Sequence, residues 1–227
     1  MKIDWSWVKD SLIKLEKIPH PKSASPNLEI LQCVDECLAE AELLSKPKKV
    51  LRKIKITGID NNQIKLADGA VFSSKYVASS LKDAQGLCLF LVTIGASLEK
   101  KASCLMKDGE SLRGYLLDRI GSMAVESLAQ RVEDELRKDY ARLDKSVSMR
   151  FSPGYCDWKI EEQLKLDKII DFKKAGVRLT DACMMAPKKS ITAIVGIGPK
   201  NTFSEIKSQC NFCDKKDCDY RRVFKRY

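Results

Sequence analysis

The stretch that decides the fold is residues 87–95, LCLFLVTIG. It belongs to the longest apolar run of the chain, which falls short of the roughly 18 residues that a bilayer-spanning helix needs. A run of this length predicts instead the buried central strand of a sheet. A helix is expected to follow over residues 97–106, before Asp108 and Gly109 break the chain.

Further downstream, residues 110–143 carry a long helical pattern. Two glycines inside this pattern, Gly114 and Gly121, either permit close packing or weaken the helix by about 1 kcal/mol each relative to alanine. The sequence leaves these two roles open. Five apolar residues define the buried face by their four-residue spacing: Leu112, Leu116, Ile120, Ala124 and Leu128.

Shorter elements surround this strand and helix, and together they set the fold class. Because hairpin strands mix with helices, the sequence predicts an α+β fold, with a mixed, largely antiparallel twisted sheet and flanking helices. Upstream we expect a helix over residues 4–16 and a second helix with Pro26 at its first position. A strand over residues 46–56 is expected to turn at Asn61 and Asn62 and return as a strand over 63–66. A short helix capped by Ser73 or Ser74 follows. Downstream we expect strands over residues 147–151, 177–179 and 191–197, and a helix over 159–172.

Composition and charge limit the function classes. Hydrophobic residues make up 44% of the 227 residues, so a sizeable core can form. The charged N-terminus lacks the apolar core of a signal peptide, which predicts a cytoplasmic protein. The net charge of +10 indicates acidic partners. We expect N-terminal helices and a hairpin over residues 1–84 packed on the main domain, a core over 85–200, and a basic, cysteine-containing tail over 201–227.

The most informative short motif is RFSPGY, residues 150–155. A Pro-Gly turn after a strand opens backbone groups to a ligand, and Gly154 has no Cβ to block its approach. Arg150 can bind a carboxylate through two parallel hydrogen bonds, and Tyr155 offers a ring face and a hydroxyl. These residues alone are compatible with a ligand site or with a surface turn beside a salt bridge.

The order of motifs around this turn resembles a known family. RFSPGY, the EEQ that follows at residues 161–163, and GVRLTDACMMAPKKSITAIVGIG at residues 176–198 are similar to the C-terminal half of the S-adenosylmethionine-binding activation domain of cobalamin-dependent methionine synthase. VTIG at residues 92–95 and the long helix also resemble that domain. The resemblance covers residues 85–198, roughly, and implies an activation-domain-like fold.

The resemblance implies that five residues contact S-adenosylmethionine. Arg150 matches the arginine that holds the cofactor, and Gly154 and Tyr155 match the glycine and tyrosine of the turn. Ser152 stands where the family uses the backbone of a small residue. Glu126 matches a helix glutamate that can pair with the ammonium group; without the resemblance it would be taken as a solvated helix charge.

Two shorter matches lie outside these motifs. Asp4 and Trp5 resemble an Asp-Trp pair near the start of the family domain. Phe203 lies in the region where the family places an aromatic residue near the methyl donor.

The same resemblance implies a methyltransferase-type activity, the activation half-reaction in which an oxidised cobalamin is reductively methylated. The chain has no Asp-x-His-x-x-Gly motif to ligate cobalamin, because its single histidine, His20, lies between two prolines. The corrinoid is therefore expected on a partner, such as a short methionine synthase or another corrinoid-binding protein. The electron is expected from a flavodoxin-like or ferredoxin-like donor.

The tail carries a candidate metal site in a C-x2-C-x4-C pattern. Structural zinc and cubane iron–sulfur clusters need four ligands, and the tail offers three thiols. Cys156, or the pair Cys33 and Cys37, could supply the fourth; free surface thiols are the alternative. The tail ligands would be Cys210, Cys213 and Cys218. The remaining cysteines stand in apolar settings and are expected in the core: Cys88, Cys104 and Cys183.

A basic strand and three competing functions complete the predictions. Residues 46–55 hold six Lys or Arg, which form either a solvated sheet face or a landing surface for an acidic electron donor.

A basic nucleic-acid-binding module with a zinc-like tail is one alternative function, opposed by the 7% aromatic content and by the absence of a known motif. A Rossmann-type methyltransferase is the second alternative, but this sequence lacks the glycine fingerprint of that fold. A scaffold of the same fold without cofactor is the third.

Overall fold

The computed structural model describes residues 1–19 and 27–203. Six strands of this part of the chain form one sheet, and every neighbouring pair in it is antiparallel. In all, the described residues form eight strands: β1 Lys48–Asp60, β2 Gln63–Leu66, β3 Val71–Ser73, β4 Gly86–Thr93, β5 Lys145–Phe151, β6 Arg178–Leu179, β7 Met185–Ala186 and β8 Ser190–Pro199. The order in the large sheet is β3-β2-β1-β4-β8-β5, and β6 and β7 form a separate two-stranded ribbon.

Helices cover both faces of the sheet. They are α1 Trp5–Leu15, α2 Leu28–Leu44, α3 Lys75–Ser80, α4 Ser97–Lys107, α5 Ser111–Ala141 and α6 Gln163–Ile170. One core lies between the sheet and α1, α2, α4 and α5, and the other lies between the sheet and α3 and α6. No helix among the described residues is long and apolar enough to cross a membrane. The predicted α+β class, with an antiparallel sheet and flanking helices, is confirmed.

Strand β4 is the buried central strand that its apolar run predicts. It lies between β1 and β8 and pairs with both along its whole length. Because side chains alternate across a strand, β4 contributes to both cores. Cys88, Phe90 and Val92 enter the core under α5, whereas Leu87, Leu89 and Leu91 enter the other.

Local signals in the sequence fix several boundaries. Asn61 and Asn62 have φ angles of 43° and 64°, the left-handed pair that a two-residue hairpin needs. The Ser74 hydroxyl accepts a hydrogen bond from the Val77 N–H at 3.0 Å and caps α3. Helix α2 begins at Leu28, because the Asn27 side chain accepts from the Ile30 N–H at 3.1 Å and supplies the cap. Pro26, expected at the first helical position, lies outside the described residues.

The two glycines of α5 serve close packing against α4. A Cβ on Gly114 would lie 2.9 Å from the Ala102 carbonyl oxygen, which belongs to the backbone of α4. A Cβ on Gly121 would lie 2.7 Å from Cδ2 of Leu98. The structure therefore decides between the two roles that the sequence left open.

Other elements differ from the sequence-based expectation. Over residues 48–55, β1 pairs only with β4, as an edge strand does; beyond a bulge at Ile56–Gly58 it pairs with β2. Strands β1–β3, from the first 84 residues, thus share a sheet with the later strands. Strand β6 joins the ribbon rather than the large sheet. The helix predicted over residues 159–172 is a 3-10 turn followed by α6, which ends where Asp171 takes a φ of 54°.

Candidate functional site

The predicted pair Arg150 and Glu126 meets at the edge of the sheet. Arg150 stands near the end of β5, the edge strand, and its Nη2 forms an ion pair with Glu126 on α5. Its Nη1 lies 3.4 Å from Oε2 of Glu133. Glu126 and Glu133 are seven residues apart, which places them two turns apart on one face of α5.

Glu133 belongs to this cluster, although sequence analysis did not single it out. Its Oε1 accepts hydrogen bonds from the Arg150 N–H at 3.2 Å and from Nη2 of Arg137 at 3.1 Å. Burial raises the pKa of the Glu133 carboxyl, and the charges of Arg150 and Arg137 only partly offset that effect. The spacing of seven from Glu126 is the signal by which the sequence could have revealed it.

Electrostatics keep the Arg150 guanidinium charged. Burial alone would lower its pKa, but the carboxylates of Glu126 and Glu133 outweigh burial and raise it. The Tyr155 side chain also acts on this pKa, so the tyrosine lies within electrostatic range of the guanidinium. The side chains of Arg150 and Glu126 are 19% and 21% exposed, whereas Nη1 of Arg150, which faces Glu133, is buried.

The Pro-Gly turn follows Arg150 directly and is shaped as the motif predicts. Gly154 has a φ of 92°, a conformation that favours glycine, and its N–H donates to the Trp158 carbonyl oxygen at 2.7 Å. Gly154 and Tyr155 are exposed, and the tyrosine keeps 54% of its surface accessible. Ser152 is half-buried. Four of the predicted site residues thus lie in one short segment, beside the fifth, Glu126.

Asp157 ties this turn to the start of α3. Its carboxylate accepts three sets of hydrogen bonds: from the Ser74 hydroxyl at 2.7 Å, from the Lys75 N–H at 2.6 Å, and from the Tyr76 N–H at 3.3 Å. Burial alone would raise the pKa of this carboxyl, but the hydrogen bonds outweigh burial and lower it. Trp158 anchors the other end of the turn: it is 1% exposed and packs edge-to-face on Phe72. Sequence analysis missed both anchors, because their partners lie more than 80 residues away.

The N-terminal segment borders the same site. The Asp4 N–H donates to the hydroxyl of Ser127 at 3.0 Å, so Asp4 lies beside the residue that follows Glu126. The Asp4 carboxylate accepts from the Trp7 N–H at 3.0 Å and caps α1. The short Asp-Trp match is therefore next to the candidate site in space.

Phe203 lies on the other face of the sheet. Its side chain belongs to the core beneath α3 and α6. Atoms of its ring would lie 3.3 Å and 3.1 Å from Cβ atoms placed on Gly196 and Gly198. The sheet therefore separates it from the Arg150 guanidinium, and it serves packing.

The candidate metal ligands Cys210, Cys213 and Cys218 lie outside the described residues. Within residues 1–19 and 27–203, no three His, Cys, Asp or Glu side chains gather in a way that could hold a metal ion. Cys37 is buried, and burial together with neighbouring Cys33 raises its pKa to about 12.

The other cysteines divide by exposure. Cys88 and Cys183 are buried, as their apolar settings predict. Cys104 is exposed, and the expectation of a core position was wrong. The buried face of α4 is formed by Leu98, Ala102 and Leu105, and Cys104 points away from it. Cys156, in the turn itself, is exposed.

The basic strand is partly engaged with the rest of the chain. Lys49 forms an ion pair with Glu135 at 2.9 Å, and Nζ of Lys53 lies 4.9 Å from the centre of the Tyr140 ring. Nη1 of Arg52 donates to a backbone carbonyl of α6 at 2.9 Å. The remaining basic side chains of the strand region are exposed: Lys46, Lys48 and Lys55.

Comparisons with known proteins agree with this architecture. The chain matches the family described as the activation domain of vitamin B12-dependent methionine synthase over residues 48–216. A crystal structure of the MetH reactivation domain bound to AdoHcy superposes with a TM-score of 0.59 at 13% identity, over 74% of this chain and 64% of that one. This chain thus spans less than two thirds of that structure, and the likeness shows a shared fold. No curated protein sequence matches the chain.

Proposed function

Because the chain belongs to the family of vitamin B12-dependent methionine synthase activation domains, we propose that it binds S-adenosylmethionine beside Arg150 and supports the reactivation of a corrinoid on a partner protein. The observation that carries this proposal is the partly exposed ion pair of Arg150 and Glu126 next to an open Pro-Gly turn. AdoHcy, bound in the MetH domain, is what S-adenosylmethionine becomes when it gives up its methyl group.

The ion pair fits the amino-acid end of such a ligand. S-adenosylmethionine carries a carboxylate and an ammonium group on one carbon, and the protein presents a guanidinium and a carboxylate side by side. Arg150 would bind the ligand carboxylate through parallel hydrogen bonds, and Glu126 would bind the ammonium group. Before binding, the charges of Arg150 and Glu126 neutralise each other. The ligand would replace this one ion pair by two, one between Arg150 and its carboxylate and one between Glu126 and its ammonium group.

The turn would hold the rest of the ligand. The exposed Gly154 allows a flat group to approach the main chain, and the exposed Tyr155 ring provides a surface against which it can lie. The backbone of Ser152 lies between these groups and Arg150. The ligand supplies a methyl group that is electrophilic because it is bound to a sulfonium, and the task of the protein residues is to bind and orient it.

The activity is methyltransferase-type and depends on a partner. The corrinoid would arrive on a short methionine synthase or another corrinoid-binding protein, and the electron would come from a flavodoxin-like or ferredoxin-like donor. The basic stretch over residues 46–55 would be the landing surface for an acidic donor. We infer a cytoplasmic location, and the division into residues 1–84, 85–200 and 201–227 stays a prediction.

Titration calorimetry with S-adenosylmethionine tests the binding step. Arg150→Lys keeps the charge but loses the planar fork, and Arg150→Ala loses both. Loss of a charge-assisted pair costs about 2 kcal/mol or more, so we expect the alanine variant to bind at least about 30-fold more weakly. Arg142→Ala is the matched control, because Arg142, the residue that ends α5, is 80% exposed and its ion pair with Asp139 is long, at 4.0 Å.

Two outcomes would contradict the proposal. One is a wild-type protein with no affinity for S-adenosylmethionine, which would leave a scaffold of the family fold without the cofactor. The other is an Arg150→Lys or Arg150→Ala variant that folds and binds as the wild type does. Methyl transfer is then measured by mixing the protein with a corrinoid protein, S-adenosylmethionine and a reductant, and following the corrinoid absorption spectrum.

A further inference from the structure

We propose that Glu133 is a positioning residue that holds the Arg150 guanidinium in place while a ligand binds to it; this inference rests on the proposed function. A single carboxylate contacts both ends of Arg150. Oε1 of Glu133 accepts from the Arg150 backbone N–H at 3.2 Å, and Oε2 lies 3.4 Å from Nη1 of its guanidinium. The main chain and the head group of the arginine are therefore fixed to the same group on α5.

The two carboxylates around Arg150 have different exposure. The Glu126 side chain is 21% exposed and faces Nη2, whereas the Glu133 side chain is 6% exposed and faces Nη1. A ligand arriving from solvent can therefore reach Glu126 and its edge of the guanidinium. Glu133 lies behind that edge and keeps its contacts when Glu126 turns to the ammonium group of the ligand.

Burying the Glu133 carboxylate costs free energy, and its role in positioning Arg150 gives a reason for this buried placement. A buried carboxylate is unfavourable unless charged partners surround it, and here Nη2 of Arg137 lies 3.1 Å from Oε1. The charges of Arg137 and Arg150 offset part of the cost of burying this carboxyl. As a result the guanidinium meets the ligand carboxylate with one edge already bound, which lowers the ordering cost of binding.

The test compares two ligands on Glu133→Gln. S-adenosylmethionine has the amino-acid group, and 5′-methylthioadenosine is the corresponding nucleoside without it. If Glu133 acts through Arg150, the glutamine variant should bind S-adenosylmethionine about tenfold more weakly, equivalent to about 1.4 kcal/mol. Its affinity for 5′-methylthioadenosine, measured by ligand-observed NMR, should remain that of the wild type. Glu135→Gln is the control, since Glu135 lies on the same helix but pairs with Lys49 and Arg131.

A purely structural role for Glu133 would give a different pattern. In that case the Glu133→Gln variant would lose affinity for both ligands alike, and that result overturns the inference. An unchanged affinity for S-adenosylmethionine overturns it as well. In the Arg150→Lys background, Glu133→Gln should cost much less than it does alone, because the two substitutions act on one interaction. Should the glutamine variant fail to fold, Glu133→Asp, which keeps the charge but is too short to hold both ends, is expected to show the same difference between ligands.

The outcomes for the two proposals are separable. A wild-type protein that binds no S-adenosylmethionine removes the proposed function and this inference together. A wild-type protein that binds it, with a Glu133→Gln variant that binds it equally well, removes only the role of Glu133.

Discussion

Replacing Asp157 by alanine is expected to release the turn over residues 152–158 from helix α3. The Asp157 carboxylate accepts hydrogen bonds from the Ser74 hydroxyl and from the N–H groups of Lys75 and Tyr76. Alanine would leave these donors at the start of α3 to water. Because Gly154 and Tyr155 lie in the same turn, we also expect weaker binding of S-adenosylmethionine.

The size of the effect follows from the contacts of Asp157. Removing a carboxylate that caps a helix N-terminus costs about 0.5–2 kcal/mol. Hydrogen bonds to a charged group can be worth more, but Asp157 is largely exposed and solvent screening reduces their value. We therefore expect a loss of about 1–2 kcal/mol, which for a protein of this size lowers the melting temperature by about 2–8 °C.

The pH dependence gives a second readout. The fold lowers the pKa of Asp157 below its ordinary value of 3.8, so its stabilisation is present above that pH and is lost as the pH falls further. Asparagine at this position does not titrate. The difference in unfolding free energy between wild type and Asp157→Asn should be constant at neutral and mildly acidic pH and should shrink below about 3.8.

Thermal unfolding followed by circular dichroism gives the melting temperature, denaturant unfolding at each pH gives the free energy of unfolding, and titration calorimetry gives the affinity for S-adenosylmethionine. Asp139→Asn is the control, because Asp139 is exposed and its ion pair with Arg142 is long, at 4.0 Å. An Asp157→Ala variant with the melting temperature and ligand affinity of the wild type would refute the anchoring role. A difference between wild type and Asp157→Asn that does not change with pH would refute the electrostatic part.

Two further predictions concern packing and thiol reactivity. Gly114→Ala should lower the melting temperature more than Gly121→Ala. The added Cβ would meet the backbone of α4 at Gly114, whereas at Gly121 it would meet the flexible ends of the Leu98 and Lys189 side chains. Equal melting temperatures for the two variants would contradict this prediction. Iodoacetamide should modify exposed Cys104 and Cys156 within the folded protein well before Cys37, which is buried and has a pKa of about 12; mass spectrometry that finds Cys37 modified first would show that α2 does not pack as described.

Elements governed by neighbouring residues were predictable from the sequence. The apolar run of β4, the Asn61–Asn62 turn and the cap at Ser73 or Ser74 each depend on side chains within a few positions; the structure confirms the first two and assigns the cap to Ser74. Where two local signals compete, prediction fails. A proline was expected at the first position of α2, but the side chain of Asn27 caps the helix and its first residue is Leu28.

Burial within an element depended on its neighbours in space. Cys104 stands among apolar residues in the sequence, yet it is exposed because α4 packs through its other face. For the same reason the sequence could not decide whether Gly114 and Gly121 weaken α5 or let it approach α4. Only the position of α4 settles that question.

The sequence by itself determined most of the strands and helices, the α+β class and the Pro-Gly turn with its arginine, since hydrophobic period and turn chemistry act over short stretches of chain. Tertiary structure decided which charges surround that arginine and what holds the turn. Glu133 meets Arg150 because β5 packs on α5, and Asp157 reaches Ser74 across 83 residues of sequence. The sequence does not specify which partner a carboxylate meets across the chain; that partner is fixed when two elements pack together.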